Sequence, residues 1–196
     1  MAQAGFDAVA IDLFLHGDRP EASNFNRFLE ANYAGTVLTI TNESVDDIPA
    51  ICGEIGVDIA RAGLLGISTG GFVAHALAIR RPQFGATVAA ITSPEWLTID
   101  PEQSALLSPM EAAMLAQISP VNHPAQYAPM PICMLHSAGD STVRIQGTQT
   151  LAERLQPIYE SLQISDRLKL KVYPDDEHRF SEDMLDETIA WMNLHL

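Results

Sequence analysis

The stretch that decides the fold is Gly66-Ile67-Ser68-Thr69-Gly70, with the apolar run 62–67 leading into it and the run 70–81, rich in small residues, following it. The first run predicts a buried strand and the second a helix. Glycines on both sides of a serine permit the sharp turn of a nucleophile elbow, which raises the serine hydroxyl above the sheet. Chance alone gives Gly-x-Ser-x-Gly in about one chain in twenty-five of this composition, so the flanking strand and helix carry the prediction.

The rest of the chain alternates between strand-like and helix-like patterns. Runs of β-branched and apolar residues predict further strands at Asp7–Leu13, Ala86–Thr92, Pro131–Ser137 and Leu168–Tyr173. Helical patterns occupy 70–81, which Pro82 ends, then Gln146–Leu162 and Ser181–His195, where Ser181 is the predicted N-cap. Alternation of this kind predicts one α/β domain over residues 1–196, with a mostly parallel sheet covered by helices on both faces.

Two segments interrupt this alternation. Asn26–Ile55 contains Thr-Val-Leu-Thr-Ile-Thr at 36–41, so residue propensity allows helix or strand there, and we favour helix. Residues 94–129 are rich in proline and contain a helical stretch near Met110–Gln117. In a doubly wound sheet such an insertion lies above the carboxyl ends of the strands, which predicts a small cap or lid over a site.

Composition excludes several classes of partner. A net charge of −14, with Lys169 and Lys171 as the two lysines, argues against nucleic acid and against an anionic membrane surface. The sequence has neither a long apolar span nor a signal-peptide pattern, which predicts a soluble, cytoplasmic protein. Cys52 and Cys133 fall in separate apolar segments and are predicted to be free thiols rather than a disulfide.

A serine nucleophile needs a base, and the base needs a carboxylate to fix its tautomer. Asp140 stands in the turn Ala138-Gly139-Asp140-Ser141-Thr142-Val143, directly after the predicted strand 131–137. His178 stands in a loop after the strand 168–173 and before the last helix. This is the order acid, then histidine, so we predict a triad of Ser68, Asp140 and His178, with the backbone N–H of Thr69 as an oxyanion donor.

These motifs together resemble the α/β-hydrolase fold and, within it, the dienelactone-hydrolase-like and prolyl-oligopeptidase-like esterases. The resemblance rests on the Gly-x-Ser-x-Gly-Gly elbow at 66–71, the acid loop at 138–143 and the histidine loop before the terminal helix, and it extends over nearly the whole chain. The segment from Ala4 to Arg19 is similar to the family's fourth strand and the loop that follows it. The resemblance implies hydrolysis of a small carboxylic ester, with a short or medium acyl group, through an acyl-enzyme and without a metal or cofactor.

The chain departs from that family before residue 7, where about three strands and the loop that supplies a second oxyanion N–H have no counterpart. Three explanations are open. The sequence begins at an internal start; or Asp7–Leu13 pairs directly with 62–67, so that His16 and Gly17 supply the missing oxyanion donor; or a second copy of the chain covers the exposed sheet edge as a homodimer.

Weaker assignments and rival functions complete the prediction. Trp96 is a candidate to line an acyl pocket, although ordinary packing explains it equally well, and the acids 175–177 are predicted to be a solvated loop. The histidines show no spacing typical of zinc ligands, so no metal site is predicted. The rivals are an inactive, truncated hydrolase-like interaction module, a peptidase or acyltransferase of the same fold, and a dinucleotide-binding oxidoreductase, whose GxGxxG spacing the glycines do not match.

Overall fold

The computed structural model describes residues 1–80, 84–98, 105–175 and 177–196. Within them four parallel strands form one sheet in the order β1 (Gly63–Ile67), β2 (Ala86–Ala90), β3 (Ile132–Ser137) and β4 (Leu168–Tyr173). Because the strands are parallel and lie side by side in chain order, their carboxyl ends meet at one edge of the sheet. The predicted α/β fold with a parallel sheet is confirmed, and this edge is where the elbow, the acid turn and the histidine loop begin.

Helices cover the sheet, and three of the six that are described begin at a side chain that caps free N–H groups. The helices are α1 (Phe25–Ala31), α2 (Tyr33–Glu54), α3 (Thr69–Arg80), α4 (Pro109–Ile118), α5 (Gln146–Ser161) and α6 (Glu182–His195). Asn32 caps α2, Ser108 forms a capping box with Glu111 on α4, and Ser181 accepts the Met184 N–H on α6. The helix predicted for 26–55 is confirmed as α1 and α2, whereas Pro82 lies outside the described residues.

Alternate side chains of β3 face two different layers of the core. Ile132 and Met134 pack with the layer that holds α3 and α5, including the buried Leu155. Cys133 and Leu135 point the other way, into the layer that holds Trp191 and Met192 of α6. Burial on both faces explains why this strand reads as a continuous apolar run.

The two cysteines are free, as predicted. Cys133 is fully buried in β3, and burial raises the pKa of its thiol to about 12. Cys52 lies half-buried on α2. At neutral pH Cys133 therefore remains a thiol and acts as a small core residue.

The strand predicted for Asp7–Leu13 is wrong. Among the described residues this segment has no ladder partner, its residues 7–10 are exposed, and Val9 retains 64% of its accessible surface. The suggestion that it pairs with 62–67 is therefore also wrong. Strand propensity measures how a side chain fits a paired, half-buried surface, and without a neighbouring strand the same pattern leaves irregular backbone.

The outer edge of β1 has no strand partner among the described residues. Ile67 is 37% exposed at the end of this strand, and Gly63 at its beginning is exposed. Edge strands of this kind invite pairing with another strand, so coverage by a second copy of the chain stays a prediction. In the part of the chain that the structure describes, no helix is both long enough and apolar enough to cross a bilayer.

Candidate active site

The elbow at the end of β1 holds Ser68 in a conformation that few non-glycine residues adopt. Its φ angle is +50°, its N–H donates to the carbonyl of Ala90 on β2 at 3.0 Å, and its own carbonyl accepts the N–H of Gly71 at 2.8 Å. A Cβ at Gly66 would lie 2.4 Å from the carbonyl oxygen of Gly70, so only glycine fits there. The strained turn is thus fixed by the sheet on one side and by α3 on the other.

Asp140 follows β3 in a turn that the carboxylate itself closes. One carboxylate oxygen, Oδ1, accepts the N–H groups of Thr142 and Val143, each at 2.9 Å. The other, Oδ2, lies 2.7 Å from Nδ1 of His178. Because Asp140 is only 4% exposed, its carboxylate is held in one orientation by the protein rather than by solvent.

His178 connects the acid to the serine. A carboxylate only accepts hydrogen bonds, so Nδ1 of His178 carries the proton and donates it to Asp140. The unprotonated Nε2 then faces the hydroxyl oxygen of Ser68 at 2.8 Å, in position to accept its proton. The sequence-predicted serine, aspartate and histidine therefore lie in one hydrogen-bonded row.

The acid turn and the histidine loop are joined through their backbones. The N–H of Ala138 donates to the carbonyl of Tyr173 at 2.8 Å, and the N–H of Gly139 donates to the carbonyl of Asp175 at 3.1 Å. These bonds continue the β3–β4 ladder beyond the last paired residues. The acid turn is therefore tied by the sheet to the start of the loop that carries His178.

Asp175 and Glu177 of the histidine loop make contacts of their own outside this relay. Glu177 pairs with Arg179 at 3.1 Å in an ion pair that is mostly exposed on both sides, and Asp175 accepts the Glu177 N–H at 3.3 Å. Asp176 lies outside the described residues. For Asp175 and Glu177, these contacts agree with a solvated loop.

The sequence predicts an oxyanion donor at Thr69 and a second one at His16 and Gly17, and the two sites have different surroundings in the structure. Thr69 is the first residue of α3, so its N–H has no acceptor within the helix and stands at the positive end of the helix dipole. His16 donates from Nδ1 to the carbonyl of Phe14 at 2.9 Å, and the Cα of Gly17 packs against the carboxylate of Asp12. The contacts described for His16 and Gly17 lie within this N-terminal loop and with Phe25.

The backbone after β2 contains a feature that the sequence did not reveal. Ile91 has a φ angle of +44°, an outlier for a β-branched residue, and its N–H donates to the carbonyl of Leu135 at 2.8 Å. β2 therefore ends at Ala90 rather than at the predicted Thr92. Thr92 turns towards α3, where its side chain fills the space beside Gly71. The pattern of small and β-branched residues at 86–92 gives no sign of this turn.

Trp96 lies within the core. It is 1% exposed, belongs to the layer that holds α3 and α5, and donates its backbone N–H to Ser119 Oγ at 3.1 Å. On the helical part of the predicted cap, by contrast, Met110 is 81% exposed. A role for Trp96 in lining an acyl pocket stays a prediction, as does the function of residues 94–129 as a lid.

Solved structures with a similar fold include an esterase and a dipeptidyl peptidase. A Thermus thermophilus protein, TT1662, superposes with a TM-score of 0.70 at 22% identity, over 91% of this chain and 72% of that one. Esterase PE8 gives a TM-score of 0.55 at 19% identity, over 83% of this chain and 63% of that one. Dipeptidyl peptidase 4 of Porphyromonas gingivalis gives 0.62 at 20% identity, with 80% of this chain matching 23% of that one. The fold is accordingly that of the α/β hydrolases.

Sequence comparison places the chain in a family. No curated protein matches it significantly. The model of the prolyl oligopeptidase family matches residues 50–195, a region that contains the elbow, the acid turn and the histidine loop. Because that match extends over most of the sequence, the chain belongs to the prolyl oligopeptidase family of serine hydrolases.

Proposed function

We propose that this chain cleaves carboxylic esters with short or medium acyl groups, using Ser68 as the nucleophile. The observation that carries the proposal is the row of hydrogen bonds from Asp140 through His178 to the Ser68 hydroxyl, with distances of 2.7 and 2.8 Å. Geometry of this kind lets an imidazole remove the serine proton as the oxygen attacks.

The reaction then follows from the roles of these groups. The Ser68 proton moves to Nε2 of His178 while Oγ bonds to the ester carbonyl carbon, and the carbonyl oxygen becomes an oxyanion that accepts the Thr69 N–H. The imidazolium, stabilised by Asp140, returns the proton to the departing alkoxide, which leaves an acyl group on Ser68. In the second half His178 takes a proton from water as the water oxygen attacks the acyl carbon. The imidazolium then returns the proton to Ser68 Oγ, and the carboxylic acid product leaves.

An ester is favoured over a peptide on chemical grounds. An amide carbonyl is less electrophilic, and its amine leaves only when protonated, so peptide cleavage depends more strongly on a complete oxyanion site. Thr69 is the only oxyanion donor that we assign. The similarity to esterase PE8 supports this choice, whereas dipeptidyl peptidase 4, which also superposes, is matched over only 23% of its length.

The test is turnover of p-nitrophenyl acetate and butyrate by the purified chain and by Ser68→Ala, with fluorophosphonate labelling of both. We expect Ser68→Ala to lose at least about 10³-fold in kcat and to take up no label, because no other group on the relay can form the acyl-enzyme. Ser141→Ala removes an exposed hydroxyl beside the acid and is the matched control.

The rival functions predict other results. Equal rates for the wild type and Ser68→Ala, without labelling, would reject the catalytic assignment in favour of a non-catalytic module. A dipeptidyl p-nitroanilide tested beside the esters distinguishes a peptidase: cleavage of the anilide with a higher kcat/KM than either ester would overturn the ester proposal while retaining Ser68.

A further inference from the structure

His136 lies at the carboxyl end of β3 and is completely buried. Its Nδ1 is 3.1 Å from the carbonyl oxygen of Ser137, the last residue of the strand. A carbonyl only accepts, so Nδ1 carries the proton and donates it. Its other nitrogen, Nε2, has no hydrogen-bond partner among the described residues. The bond from Nδ1 to Ser137 is therefore the hydrogen bond that we assign to this ring, while the Thr92 carbonyl is close enough to favour its protonated form.

The same carbonyl begins the turn that carries the triad acid. Besides the His136 ring, the Ser137 oxygen accepts the backbone N–H of Asp140, at 3.4 Å. The orientation of this carbonyl therefore affects where the turn leaves the sheet, and the Asp140 carboxylate closes the turn from its other end. Because the His136 ring and the Asp140 N–H bind the same Ser137 carbonyl, the His136 hydrogen bond affects the position of Asp140.

The charge state of His136 suits this position. Burial lowers the pKa of its imidazole and outweighs the Ser137 and Thr92 carbonyls and the Asp140 carboxylate, which favour protonation; nearby His178 lowers the pKa further. The ring is therefore neutral at neutral pH. It holds the turn without placing a second cation beside Asp140, whose carboxylate remains available to His178.

We propose that His136 is a positioning residue of the hydrolytic reaction: by holding the Ser137 carbonyl it aims Asp140 at His178. This inference rests on the proposed function of Ser68. It differs from an ordinary packing role because it assigns the effect to one donor, Nδ1–H, rather than to the volume of the ring.

Two amide variants separate the donor from the volume. In His136→Asn the amide nitrogen stands near the place of Nδ1 and still donates to Ser137, whereas in His136→Gln it stands near the place of Nε2. We expect Gln, and likewise His136→Leu, to lower kcat for p-nitrophenyl butyrate about tenfold or more, with KM changed by less than about twofold. We expect Asn to restore kcat to within about threefold of the wild type. Fluorophosphonate labelling rates should follow kcat.

The control for lost stability is His75→Leu. His75 is the other fully buried histidine among the described residues and contacts the Tyr127 hydroxyl at 2.9 Å, away from the relay. Its replacement is expected to lower the thermal midpoint while kcat stays within about twofold. Equal kcat values for His136→Asn and His136→Gln, whether normal or reduced, would overturn the proposal.

The remaining outcomes are also decisive. If His136→Leu does not fold, the comparison between Asn and Gln still decides, because both keep a polar side chain of similar size. If the wild type neither turns over ester nor takes up label, the proposed function fails and the role of His136 fails with it. An active wild type and an inactive Ser68→Ala leave only the positioning role at stake.

Discussion

The two sides of the sheet show what a ladder contributes to a serine hydrolase site. On the β3–β4 side every residue of β3 is buried, and the backbone bonds continue past the strands to join the acid turn to the histidine loop. At the other end of the sheet the outer edge of β1 has no strand partner among the described residues, and the segment Asp7–Leu13, which has a strand pattern, remains irregular with Val9 64% exposed. The groups that need precise spacing, Asp140 and His178, follow β3 and β4, whose backbone bonds continue beyond the paired strands.

The difference also separates the proton relay from the oxyanion site. All four strands contribute to the relay, since Ser68 follows β1 and is anchored to Ala90 of β2, while Asp140 and His178 follow β3 and β4 and are hydrogen-bonded to each other. For the oxyanion we propose one donor, the Thr69 N–H at the start of α3, whereas the contacts of His16 lie within the irregular N-terminal loop and with Phe25. Proton transfer is therefore the better organised half of the proposed chemistry.

The largest effect that tests this comparison is expected from Asp140→Asn. An amide in place of the carboxylate can donate to Nδ1 of His178, which favours the wrong imidazole tautomer and removes the stabilisation of the cation. We expect kcat for p-nitrophenyl butyrate to fall on the order of 10⁴-fold. Steady-state kinetics with Glu177→Gln, an exposed acid beside His178, provide the control, which should stay within about threefold. Similar losses in both variants would mean that the relay does not depend on Asp140.

The free energy of unfolding should depend more strongly on the residues packed against the sheet than on the N-terminal segment. Leu155 of α5 is completely buried, so Leu155→Ala leaves a cavity and should cost about 2–5 kcal/mol in the free energy of unfolding. Val9→Ala in the exposed N-terminal segment should change it by less than about 0.5 kcal/mol. Urea denaturation of both variants measures the contrast. A loss above about 2 kcal/mol for Val9→Ala would show that this segment is packed in solution.

The same contrast explains which parts of the fold could be predicted from the sequence. Strands 63–67, 86–90, 132–137 and 168–173 combine an apolar pattern with a partner on at least one side, and each was located to within two residues. Asp7–Leu13 has the pattern but no partner. A single sequence records the side chains of a strand but not whether a neighbour is present to accept its hydrogen bonds, so the prediction failed there.

The order of the site residues along the chain and their chemistry could be predicted from the sequence, whereas backbone strain could not. The positions of Ser68, Asp140 and His178 follow from a motif and from the ends of two later strands, and the structure brings all three together. The positive φ of Ile91 and the shared Ser137 carbonyl have no sequence signal, because Ile91 is a typical strand residue and the carbonyl belongs to the backbone.

The smallest expected effect is a dependence of stability on pH that originates in a buried histidine of α3. Burial lowers the pKa of His75 on α3 to about 3, against an ordinary value of 6.5 in the unfolded chain. Unfolding therefore takes up a proton as the pH falls below about 6.5, and the contribution of a neutral His75 to stability is lost as the pH decreases towards 3.

His75→Asn removes this titration while keeping an amide near the Tyr127 hydroxyl. Between pH 7.0 and 5.5 the wild type should lose about 1 kcal/mol more unfolding free energy than His75→Asn does, because only the wild type protonates at this residue on unfolding. That interval stays above the isoelectric point of about 4.6, and carboxylates titrate alike in both proteins and cancel in the difference. Urea denaturation at the two pH values gives the measurement. Equal losses of unfolding free energy in the two proteins would show that His75 is accessible to water in the folded state. The core around α3 would then be more open than its burial indicates.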